Sequence, residues 1–137
     1  PRSVSAMMHC AESGADLSTS GIIEYGEGRR AHFDFSFECT RRSEYEITGT
    51  LGTIRCPTVW QLPGDVPEIQ WRTEDGRRGE ESPPAFNHFE LEVAGFSDAV
   101  IRGGDALLPL DDALLNCKII TAAIESARTG KHVAITP

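Results

Sequence analysis

An α+β fold, a mostly antiparallel open-faced sheet with two helices packed on one face, is predicted by three features of the chain. Phe33, Phe35 and Phe37 alternate with Asp34, Ser36 and Glu38, the period of a strand with one apolar and one wet face. Strand-like segments come first, two helical patterns follow, and one short strand ends the order. The stretch from Leu110 to Ile135 supplies the longer helix: Leu114, Leu115, Ile119, Ala122, Ala123 and Ala127 recur near helical period.

In chain order, Ser3 to His9 reads as a first strand, with Val4, Ala6 and Met8 on one face. Leu17 to Tyr25 is a second strand, Gly26-Glu27-Gly28 a hairpin reversal, and Ala31 to Cys39 the strand of alternating phenylalanines. Tyr45 to Ile54 reads as strand, tight turn, strand, with Gly49 and Gly52 relieving the backbone. From Cys56 to Pro84 prolines and glycines break the pattern, leaving one strand, Glu68 to Thr73, and an exposed turn at Glu74-Asp75-Gly76-Arg77-Arg78. Ala85 to Arg102 is the first helix, with Phe86, Phe89, Val93, Phe96 and Val100 at steps of 3, 4, 3 and 4, an apolar stripe that reads as core; Gly103-Gly104 ends it. Asp111 is placed to cap the second helix, whose small residues suit a buried element; Gly130 stops it, and His132 to Ile135 alternates as a last strand.

Composition narrows the function classes. A chain of 137 residues is one domain by the usual size prior. Lys and Arg total 13 against 21 Asp and Glu, a net charge of −8 that repels phosphate backbones and anionic lipid, so neither nucleic acid nor a membrane is an expected partner. No run approaches the roughly 18 apolar residues of a spanning helix. Cys10, Cys39, Cys56 and Cys117 are scattered, without C-x-x-C or a His at ligand spacing; they read as reduced, packed thiols, with no metal site, in a cytoplasmic setting. The chain starts at Pro1 without Met and is expected to be cut from a longer protein.

Few side chains carry a chemical signal. Gly49 and Gly52 do not make G-x-G-x-x-G and no helix start follows them, so they are not phosphate-binding glycines. His88 sits near the start of the first helix beside Phe89, a candidate for substrate contact set against a purely structural role. His9, His32 and His132 have no carboxylate at a spacing that suggests a relay, and Ser126, on a buried helix without a nearby His, is not a nucleophile. Trp60 and Trp71 are of a type that stacks on sugar rings, but they read better as closing a core edge or an interface.

Two stretches together resemble a known family. Phe89-x-x-Glu92-x-x-x-Phe96-x-x-Ala99-Val100-x-x-Gly103 is followed by Pro109, Asp112-Ala113, Asn116, Ala123 and Ser126-Ala127-x-Thr129-Gly130-x-x-Val133. With Tyr45-Glu46-Ile47-x-Gly49-x-x-Gly52-x-Ile54 upstream, this succession, over roughly residues 31 to 135, is similar to the end of the glucose-fructose oxidoreductase / inositol dehydrogenase / MocA family. The resemblance implies an NAD(P)-dependent oxidoreductase acting on a sugar, cyclitol or related alcohol or carbonyl. It also implies an N-terminal nucleotide-binding domain, with a glycine-rich turn, a Glu-Lys-Pro lysine and a helix bearing Asp and His, none of which this chain contains.

On that reading residues 1–137 are the C-terminal α+β substrate and oligomerisation domain, with no catalytic or cofactor-binding residue of its own and no activity alone. It is expected to wall the substrate side of the cleft and to form a homo-oligomer through the open sheet face. Family members place substrate-reaching residues at the end of the strand before the Tyr45 unit, which points to Arg41 within Cys39-Thr40-Arg41-Arg42, a guanidinium with several fixed donors. The plainer alternative pairs Arg41 and Arg42 with Glu38 or Glu44. A different class also stands open: a free-standing α+β module that binds a small ligand or dimerises, without redox chemistry.

Overall fold

The computed structural model describes residues 1–59 and 66–136. Its elements, in chain order, are β1 (Ser3–Cys10), β2 (Asp16–Gly26), β3 (Arg29–Ser36), β4 (Tyr45–Gly49), β5 (Gly52–Cys56), β6 (Ile69–Thr73), β7 (Arg78–Glu81), α1 (His88–Arg102), α2 (Leu110–Thr129) and β8 (Val133–Ala134). The fold is α+β, and every strand pairing is antiparallel. The strands form two four-stranded sheets where one was expected: β3-β2-β1-β8 and β4-β5-β6-β7. The polar segment of residues 37–44 carries no strand, so the ladder is not continued from β3 to β4. Two compact units follow, Pro1–Cys39 with Ala99–Pro137, and Thr40–Asp98.

In the first unit, α2 packs on one face of its sheet through a core of Val4, Ala6, Ala122, Ala123 and Ile135, with Ile23, Phe33, Leu115 and Ile119 against it. Val4 pairs with Ile23 and Ala6 with Gly21, so alternate residues of β1 and β2 reach the same layer. Gly21 is required there: a Cβ would stand 2.6 Å from the ring of Phe33, its partner on β3. The alanines of α2 bring the helix backbone close to β1, and Ser126 uses that approach. Its hydroxyl accepts from the Ala6 N–H at 3.0 Å and donates to the Lys131 carbonyl at 2.6 Å, with the residue 2% exposed.

Helix ends follow local chemistry. Gly130 stops α2 in the left-handed region (φ 65°), its N–H bonded to the Ser126 carbonyl. The start differs from expectation: Pro109 occupies the N-cap without a side-chain bond, so Asp111 lies inside the first turn with Asp112, where negative charge meets the positive end of the helix dipole. α1 begins three residues later than the pattern suggested, because the Asn87 side-chain oxygen Oδ1 caps it by accepting from the N–H groups of Phe89 and Glu90. The stripe of α1 is a correction: no residue of the helix is buried, and Phe89, Val93, Phe96 and Val100 are each about two-thirds exposed. Periodicity reports that a face is apolar, not that this chain covers it.

In the second unit, β4, β5 and β6 fall where the sequence put them, whereas β7 was read as an exposed turn and loop. It pairs with β6, and Gly79 lies under the Trp71 ring, where a Cβ would stand 2.5 Å from the indole. Trp60 lies outside the described residues. The four cysteines are free thiols, but only Cys56 is packed; Cys10, Cys39 and Cys117 are exposed.

Replacing Ser126 with Ala removes both bonds and leaves the buried Ala6 N–H without a partner. A loss of about 1–3 kcal/mol is expected in urea unfolding; an unchanged midpoint would show that the hydroxyl does not hold α2 to the sheet.

Candidate functional site

The face of the first sheet turned away from α2 is built by strand alternation from short polar side chains. Cross-strand pairing sets Ser5, Ile22 and His32 in one row and Met7, Ser20 and Asp34 in the next. These rows, with Lys131 and His132 at the border, form an open groove of about 740 Å3. The Ser5 hydroxyl lies 3.1 Å from His132 Nδ1, joining β1 to the turn that precedes β8. The groove thus offers hydroxyls, two imidazoles and a carboxylate, groups that hydrogen-bond polyols in either direction. Its apolar members, Met7 and Ile22, are exposed.

Sequence reasoning passed over His32 and His132. The pair His32-x-Asp34 was legible, because period two on a strand puts both side chains on one face. His132 meeting Ser5 was not, since 127 residues separate them.

Both sequence-nominated substrate residues belong to the second unit. Arg41 is exposed in the segment before β4. His88 opens α1 half-buried, its ring centroid 4.3 Å from that of Phe89. Of the carboxylates considered for the arginines, Glu44 is taken by Arg55, at 2.6 Å from Nη2 to Oε2. The hydrogen bond from Arg55 is the main cause holding the Glu44 carboxyl below its ordinary range, with the charges of Arg55 and Arg42 adding to it against desolvation. On the sheet, Glu46, Arg55, Gln70 and Glu80 line up across the strands and border a second groove of about 530 Å3.

Among the described residues no group of three or more His, Cys, Asp or Glu side chains is arranged to hold a metal ion. Among the described residues the strand pairings are all antiparallel, and no glycine-rich turn joins a strand to a helix as a dinucleotide cradle requires. No helix among them is long and apolar enough to cross a membrane.

Residues 4–135 match the Gfo/Idh/MocA oxidoreductase family model, described as its C-terminal alpha/beta domain. The chain is 27% identical over 125 residues to D-xylose 1-dehydrogenase (NADP(+)) 2 of Haloferax volcanii, covering 90% of this chain and 38% of that protein. Its fold is like that of the aldose-aldose oxidoreductase from Caulobacter crescentus complexed with glycerol, with a TM-score of 0.81, 18% identity, and 98% of this chain matched to 41% of that one. Levoglucosan dehydrogenase in complex with NADH and levoglucosan gives a TM-score of 0.75 at 17% identity, with 99% of this chain matched to 45% of that one. The chain thus spans less than half the length of these relatives.

A lowered carboxyl contributes stability above its ordinary titration range and loses that contribution as pH falls through its lowered value. Glu44 is expected to titrate below the ordinary glutamate range when its carboxyl carbon is followed by NMR, and Arg55→Gln is expected to return it upward. An ordinary midpoint in the unsubstituted chain would exclude the Glu44–Arg55 pair in solution.

Proposed function

The chain belongs to the Gfo/Idh/MocA oxidoreductase family, and on that premise we propose that residues 1–137 form the C-terminal substrate-binding and oligomerisation domain of an NAD(P)-dependent enzyme acting on a sugar, cyclitol or related alcohol or carbonyl. The observation that carries this reading is the family match over residues 4–135, which takes in both sheets and both helices. D-xylose dehydrogenase, levoglucosan dehydrogenase and the aldose-aldose oxidoreductase among the relatives favour a sugar. NAD or NADP is held by an N-terminal nucleotide-binding domain of the longer protein, supplying the hydride acceptor or donor. This domain adds a wall of hydrogen-bonding groups, in which Arg41 and His88 reach the substrate. The protein acts in the cytoplasm.

The open face of the first sheet pairs with a second copy of itself. A two-fold contact suits it, since its rows set exposed Met7 and Ile22 among hydroxyls and both histidines.

The full protein carrying this chain is expected to turn over D-xylose, levoglucosan or myo-inositol with NAD or NADP, and residues 1–137 alone to turn over none. Arg41→Ala is expected to raise KM about tenfold with kcat little changed, the loss of one charge-assisted hydrogen bond; an unchanged KM removes Arg41 from the site. Absence of any nicotinamide-linked turnover across the panel counts against the sugar reading.

Sedimentation velocity of the same protein is expected to show an oligomer that Ile22→Glu dissociates, by placing a charge in the apolar part of the face. A monomer at all concentrations, or an oligomer indifferent to that substitution, moves the contact elsewhere.

A further inference from the structure

Strand alternation gives the polar face of the second sheet two rows that differ in charge. The first, Glu46, Arg55, Gln70 and Glu80, mixes both signs. The second, Thr48, Thr53, Arg72 and Arg78, holds two positive charges and no carboxylate. Arg72 and Arg78 stand directly opposite one another on β6 and β7. Neighbouring strands lie about 4.8 Å apart, and like charges so placed weaken the pairing of their strands.

With a net charge of −8 the chain has carboxylates to spare, and the neighbouring arginines find them: Arg55 pairs with Glu44 and Arg77 with Asp75. Among the described residues neither Arg72 nor Arg78 makes an ion pair or a side-chain hydrogen bond. Glu80 lies two residues along β7 from Arg78, on the same face, and pairs with neither. The hairpin that carries the two arginines is fixed. The Thr73 N–H donates to the Arg77 carbonyl at 2.8 Å, one residue from each arginine, and on the other face the Trp71 ring lies on Gly79. Both arginines border the groove of about 530 Å3, together with Arg55 and Gln70.

We propose that Arg72 and Arg78 form a binding site for a phosphate group, free or carried by a small molecule. A carboxylate fills one guanidinium fork and brings one negative charge. A phosphate brings close to two, with three or more acceptor oxygens, and so meets both forks at once and removes the repulsion between them. Glu80 limits the affinity from the border of the site. The proposal does not rest on the sugar reading or on the groove of the first sheet.

The full protein carrying this chain is titrated with phenyl phosphate, inorganic phosphate and acetate at constant ionic strength in chloride, with the Nε–H signals of Arg72 and Arg78 followed by NMR. Both phosphates are expected to give saturable shifts at the two arginines, and acetate to bind about tenfold more weakly. Arg78→Gln is expected to weaken phenyl phosphate about tenfold, the loss of a charge-assisted hydrogen bond. Glu80→Gln is expected to tighten it, and Arg77→Gln, whose guanidinium is taken by Asp75, to leave it unchanged. Phenyl phosphate bound more tightly than inorganic phosphate makes the ligand an ester; otherwise it is the free ion. Three outcomes overturn the proposal: no saturable shift at either arginine, acetate bound as tightly as phosphate, or equal weakening by Arg77→Gln and Arg78→Gln. The first assigns the pair to a protein contact.

Discussion

The Ser126 hydroxyl closes a sheet edge that β8 is too short to close. β8 pairs only with Ser3 and Val4, and the next inward amide on that side of β1, at Ala6, is bonded to Ser126 instead. The same hydroxyl holds the Lys131 carbonyl, so it also fixes the turn that delivers β8 to its place. One oxygen thus satisfies a buried donor and a loop acceptor at a site 2% exposed. The helix must come close for that bond to form, which explains Ala122 and Ala123 at the contact; larger side chains there would lift α2 off the sheet.

Apolar side chains outside the α2 contact are exposed among the described residues. Ile47, Ile54 and Trp71 share one face of the second sheet, opposite the row of Glu46, Arg55, Gln70 and Glu80, and Ile47 and Ile54 are exposed. The stripe of α1 is exposed as well. A helix of 15 residues is near the length at which isolated helices are marginal, and burying a Phe or Val side chain contributes about 1.5–3 kcal/mol. Exposed apolar stripes of this extent mark contact surfaces.

How much was legible depended on whether the signal was local. The alternating phenylalanines place β3 because period two is enforced by the pleat, and Gly130 ends α2 because few other residues take φ of 65° cheaply. β7 escaped notice because Arg-Gly-Glu-Glu has no apolar alternation; its strand is imposed by pairing with β6 and by Trp71 lying on Gly79. The Asp111 cap failed by two residues, since Pro109 with its fixed φ begins the helix earlier. The division into two sheets was illegible, as hydrogen-bond partners between strands are not encoded in any one strand's pattern. The family resemblance was readable and was borne out, whereas the Ser5–His132 contact joins opposite ends of the sequence and needed the fold.

The pairing of strands within the chain sets what groups such a domain can present. Among the described residues its antiparallel ladders leave no helix N-terminus aimed from a parallel strand. What antiparallel strands do well is present rows of side chains at fixed spacing, and here the rows carry hydroxyl, imidazole and guanidinium groups. Such groups donate and accept hydrogen bonds at fixed positions without changing the backbone that carries them.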